Sequence, residues 1–97
     1  MSAMPAGSPQ WEHYIEYIAA DARKPQVKDF LTLYFHGERV PKYVAQATIP
    51  RLNELGAQGW ELVHMQPVFL GSNGEVTSTG SGTNIYFCVF KRPVRSI

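Results

Sequence analysis

Hydrophobic and polar positions alternate near the start of the chain, form a helical stripe in its middle and alternate again toward its end. In residues 10–20, Trp11, Tyr14, Ile15, Tyr17 and Ile18 are strand formers with no Gly or Pro between them, which predicts a β-strand. A period of two places Trp11, His13, Ile15 and Tyr17 on one face and Glu12, Tyr14, Glu16 and Ile18 on the other. Neither face is purely polar. A polar turn closed by Pro25 follows, and then the aromatic run of residues 30–36, ended by Gly37, predicts a second strand. Residues 38–47 read as a loop, with room for a helical turn after Pro41.

Residues 48–57 carry a helical pattern. Ile49, Leu52 and Leu55 recur at i, i+3 and i+6 and make one narrow apolar stripe. Thr48 suits an N-cap, Pro50 suits the first turn, and Gly56 or Gly59 suits the C-terminal stop. Gly59-Trp60 then opens a third strand over residues 60–70, with Pro67 as a local disturbance. Residues 71–83 are a long loop of turn formers, and residues 83–91 form the last strand, stopped at Pro93. The expected fold class is therefore α+β. A mostly antiparallel sheet of three to four strands carries one amphipathic helix on one face, in the order β-β-α-β-β with the last two strands as a hairpin. The expected organisation is a flexible arm over residues 1–9, one domain over 10–93 and a tail over 94–97.

The segment Leu52-Asn53-Glu54-Leu55-Gly56-Ala57-Gln58-Gly59-Trp60-Glu61-Leu62-Val63 resembles a small bacterial family catalogued as domain of unknown function 4177. Members of that family open on a Trp-Glu-Tyr strand and close on Phe-Lys-Arg. Here Trp11-Glu12-His13-Tyr14 is similar to the opening, with His13 inserted, and Phe90-Lys91-Arg92-Pro93 is similar to the close. The chain departs from the compact family pattern by extra sequence at residues 21–47. The resemblance implies one sheet and one helix, and it implies no activity. The motif has a structural reading of its own: a glycine takes the left-handed conformation that ends a helix, and Trp60 covers Leu55 at the junction.

Composition narrows the function classes. The 97 residues suffice for one domain, with 44% hydrophobic and 18% charged residues, so charge is sparse. A net charge of +1 gives no field to steer the chain toward nucleic acid or an anionic membrane, and neither is expected as a partner. The one local basic cluster, Lys91, Arg92 and Arg95, reads as a solvated tail. No stretch approaches the length of a membrane helix, and residues 1–9 have neither a basic start nor an apolar segment, so a cytoplasmic location is the expectation. The single cysteine, Cys88, lies in an apolar run and reads as a buried, inert thiol.

Candidate chemistry is thin. His13, His36 and His64 fall on three expected strands and could converge on a metal, but no HxH or HxxxH spacing supports them. Glu12 and Glu16 share a face ~13 Å apart at the usual strand rise, which favours solvation or pairing with Lys or Arg over acid–base work. The Gly/Ser/Thr loop lacks the lysine of a phosphate-binding loop and leads into a strand. The strand aromatics Tyr14, Tyr17, Tyr34, Tyr86 and Phe87 could stack bases, but no basic groove accompanies them. No catalytic residue, cofactor or metal is assigned on these grounds.

The last strand is apolar on both faces, with Ile85, Phe87 and Val89 on one and Tyr86, Cys88 and Phe90 on the other. One helix stripe can cover one face only, so the second needs residues 21–47 or another subunit. A non-catalytic interaction module is expected, self-associating through its aromatic-rich sheet. A dimer is the simplest form, and another protein could add at the sheet edge or the arm. Tyr14, Tyr86, Cys88 and Phe90 are the interface candidates, and Leu52, Leu55, Gly56, Gly59 and Trp60 the structural motif. The alternative is a small-ligand or metal-binding protein, or an enzyme, with a pocket near the histidines and Trp60.

Overall fold

The computed structural model describes residues 10–70, 76–77 and 84–94. The expected N-terminal arm, most of the loop 71–83 and the end of the tail lie outside the described residues. The elements are β1 (Trp11–Ala19), α1 (Pro25–Tyr34), a 3-10 helix (Ala45–Thr48), α2 (Ile49–Ala57), β2 (Glu61–Leu70), the two-residue β3 (Val76–Thr77) and β4 (Ile85–Pro93). Three long antiparallel strands lie in the order β1-β4-β2, and β3 pairs with the end of β2 through Phe69↔Thr77 and Leu70↔Val76. The α+β class and the antiparallel pairing of the strands at 61–70 and 85–93 are as expected, but β3 lies between them in the chain, so they are not a simple hairpin. No helix among the described residues is long and apolar enough to cross a membrane.

Residues 30–36 are not a strand. Residues 30–34 belong to α1 and residues 35–36 to the turn that ends it, which makes the helices two rather than one. The aromatic content of this run favours a sheet, but Val27 and Leu31, one helical turn apart, bury one stripe against Ala47 with Phe30, Phe35, Val40 and Val44 around them. Pro25 sits in the first turn, where its missing N–H is no loss. The helix ends with the His36 and Gly37 amides bonded to the Leu33 and Thr32 carbonyls at 3.2 and 3.0 Å, and both residues have positive φ. Tertiary burial decided the conformation of this segment over its local propensity.

The expected helix at 48–57 is α2. Thr48 occupies its N-cap position as expected but makes no capping hydrogen bond: its backbone is already helical because the 3-10 turn runs into α2, and its hydroxyl donates back to the Ala45 carbonyl at 2.8 Å. At the other end Gly59, with φ of 91°, lets the Gly59 amide reach the Gly56 carbonyl and the Trp60 amide reach the Leu55 carbonyl. Gly59, not Gly56, is therefore the stop. The turn delivers Trp60 onto the cluster of Ile18, Leu55, Cys88 and Phe90, which Leu52, Met65, Tyr14 and Tyr86 complete.

Register assigns the faces. Tyr14 lies opposite Phe90, Glu16 opposite Cys88 and Ile18 opposite Tyr86, all beneath α2. On β2, a bulge at Val63 shifts the pairing so that Leu62 faces Phe90 and Met65 faces Cys88. Simple alternation would put Leu62 and Met65 on opposite faces, and the bulge brings both into register with core residues of β4. Pro67 stays within β2, opposite Tyr86, where β2 has a neighbour on one side only among the described residues.

Backbone direction follows from the strand ends. The Ala20 amide donates to the Asn84 carbonyl at 2.6 Å, and the Gln10 carbonyl accepts from the Val94 amide at 2.9 Å. Even-numbered residues of β1 therefore turn their amides and carbonyls toward β4, and odd-numbered residues turn theirs to the open edge.

Candidate functional site: the open face of the sheet

The face opposite α2 is built in rows across β1, β4 and β2. His13, Lys91 and Glu61 form one row, Ile15, Val89 and His64 the next, and Tyr17, Phe87 and Gln66 the third. Trp11 and Pro93 flank the first row, while Ala19, Ile85 and Val68 form the last, where the face is no longer open, since Val68 is buried and Ala19 and Ile85 are half-buried. Ile15 is 53% exposed and Trp11 and Tyr17 are 44% exposed, with no described helix over them. Segment 21–47 does not cover this face: α1 packs on α2 and the 3-10 helix.

Within the face, the Tyr17 and Phe87 rings sit 5.7 Å apart, and the Lys91 ammonium lies 4.4 Å over the Trp11 ring. His64 is hydrogen-bonded to Gln66 at 2.7 Å. The result is an apolar band of Ile15, Tyr17, Phe87 and Val89 with polar groups on the β2 side and at one end.

The interface candidates fall on the other face. Cys88 and Phe90 are fully buried beneath α2, and Tyr14 and Tyr86 pack beside them. Period-two alternation separates two sets of residues without saying which set a helix covers. The useful signal was Cys88 itself, since cysteine is among the most buried residue types. Ile15, Tyr17, Phe87 and Val89 are the residues sequence reasoning did not single out as a surface. Leu52, Leu55, Gly59 and Trp60 occupy the helix-to-strand junction as expected.

The polar groups of the covered side are matched to one another. Arg51 of α2 bonds both carboxylate oxygens of Glu16 at 2.7 and 2.9 Å and reaches Glu54 at 3.0 Å, while the Tyr14 hydroxyl donates to Glu16 at 2.6 Å. Hydrogen bonding from Arg51 holds the Glu16 carboxyl below its usual range, and the bond to Glu16 raises the Tyr14 phenol. Arg92 pairs with Glu12 at 2.5 Å, donates to the Gln58 carbonyl at 3.0 Å and lies 4.1 Å over the Trp60 ring. Lys91 and Arg92 are thus parts of β4 with defined partners, not a solvated tail.

These pairings leave little for chemistry. A groove of about 490 Å³ is lined by Glu12, Gln58, Gly59, Arg92 and Pro93, but the charges of Glu12 and Arg92 are spent on each other. Burial pushes the Cys88 thiol up to about 11, which keeps it protonated and poorly nucleophilic at neutral pH. His13 and His64 share the open face with β4 between them, and His36 ends α1, so the three do not converge. Among the described residues no group of three His, Cys, Asp or Glu side chains could hold a metal ion. No family model, curated protein or solved structure matches this chain.

Proposed function

We propose that this protein is a non-catalytic interaction module that self-associates through its aromatic-rich sheet, with the dimer as its working unit. The observation that carries this reading is the open face, where Ile15 and Tyr17 stand exposed beside Phe87 and Val89 while α2 occupies the opposite side. Apolar side chains gathered on a sheet face are driven together at ~25 cal/mol per Å² before the entropic cost of association. The charged groups of the opposite side favour the same reading, because Glu16 with Arg51 and Glu12 with Arg92 are paired within the chain.

Sedimentation velocity at micromolar concentration tests this. The expected result is a dimer that shifts toward monomer in the Ile15→Ser/Tyr17→Ser variant, with an unchanged far-UV circular dichroism spectrum. A monomeric wild-type protein would remove the basis of the proposal.

A further inference from the structure

We infer that two copies join edge to edge through β1, antiparallel about a two-fold axis at Ile15, to make one continuous sheet. The inference rests on the self-association proposed above and specifies its geometry. β1 is the outer strand of the sheet, and its nine residues pair with β4 without a bulge. The amides and carbonyls of Trp11, His13, Ile15, Tyr17 and Ala19 point away from β4, and no described residue bonds to them. β1 contains no Pro, Gly or Lys, the devices that commonly blunt an exposed edge.

The register follows from backbone direction and charge. A second antiparallel β1 can bond only where odd-numbered residues face odd-numbered residues, because these alone present their amides outward. Centring the pair on Ile15 sets Ile15 against Ile15, His13 against Tyr17 and Trp11 against Ala19 of the second copy. On the helix side the same register sets Glu16 against Tyr14 and Glu12 against Ile18, with no like charges opposed. Sliding one copy by two residues places Glu12 against Glu16 in one direction and Glu16 against Glu16 in the other. Like charges directly opposite destabilise a pair of strands, so the centred register wins, and it also matches the full strand. The exposed side chains Trp11, Ile15 and Tyr17 then gain lateral neighbours, and the apolar bands of the two copies become continuous.

Cysteine cross-linking tests the register, with light scattering run on the unmodified protein in parallel. Cys88 is buried and contributes no background. Ile15→Cys is expected to give a disulfide-linked dimer under mild oxidation. His13→Cys and Tyr17→Cys should link when mixed and fail to link alone, since like positions then lie about 13 Å apart at the strand rise, beyond the ~7 Å disulfide limit. Ile15→Pro, which removes an amide that β4 does not use, should give a folded monomer. A dimer mass without this cross-linking pattern overturns edge pairing and leaves self-association standing. A monomer mass overturns both.

Discussion

Arg51 holds both carboxylate oxygens of Glu16, at 2.7 and 2.9 Å, and so fastens α2 to the edge strand β1. The two-pronged geometry suits a guanidinium, and a lysine could not reproduce it. The Arg51 side chain is 37% exposed, so water screens the pair and its worth is modest. Arg51→Met should lower the unfolding free energy by about 1 kcal/mol in urea denaturation. The Glu16→Gln/Arg51→Met double variant should lose less than the sum of the single losses, because the two side chains act on each other.

Acid stability follows from the same carboxylate and from Asp21. Arg23 bonds the Asp21 side chain at 2.9 Å and holds its carboxyl at about 2, below its usual 3.8, and Arg51 lowers Glu16 below 4.5. A carboxyl whose folded value is depressed stabilises the fold above its unfolded value, and that contribution disappears as pH falls through the folded value. Stability should therefore hold down to about pH 5 and decline between about pH 4.5 and 2. Urea midpoints measured across this range check it, and Glu16→Gln should flatten the decline. A rise in midpoint on acidification would contradict the assignment.

The two sheet faces should respond differently to truncation. Phe90 is 1% exposed and touches the core beneath α2, so Phe90→Ala should cost about 3–5 kcal/mol. Tyr17 on the open face should cost the isolated subunit less than about 1 kcal/mol as Tyr17→Ala. Chemical denaturation at low protein concentration compares them, and equal losses would mean that the open face is covered.

Backbone conformation gives a pair of opposite effects at the two helix ends. Gly59 has φ of 91° with no atom near the position a Cβ would take, so Gly59→Ala meets strain without a clash and should cost about 1 kcal/mol. His36 has φ of 53°, and His36→Gly should stabilise by about 0.5–1 kcal/mol. Each kilocalorie corresponds to roughly 4–8 °C in Tm for a domain of this size, so thermal unfolding resolves both.

Much of this architecture is local in origin and therefore legible in the chain. The strand formers of residues 11–19, the stripe of Ile49, Leu52 and Leu55, and Pro50 ahead of Gly59-Trp60 each specify their element through near-neighbour sterics and periodicity. The pairing of Glu12 and Glu16 with arginines was legible only as one of two outcomes, solvation or pairing with Lys or Arg, and the contacts with Arg92 and Arg51 select the second. Residues 30–36 were not, because a short aromatic run fits a strand or a helix, and only burial of Val27 and Leu31 against Ala47 selects the helix.

The face of the sheet was the other undecided matter. Alternation alone separates Tyr14, Tyr86, Cys88 and Phe90 from Ile15, Tyr17, Phe87 and Val89, and both sets are apolar enough to be core. Where α2 docks decides between them, and the bulge at Val63 adds Met65 to the chosen side. The sequence by itself determined that one apolar face would exceed what a single helix can cover. Only the tertiary structure decided which face that is, because the choice depends on contacts between segments far apart in the chain.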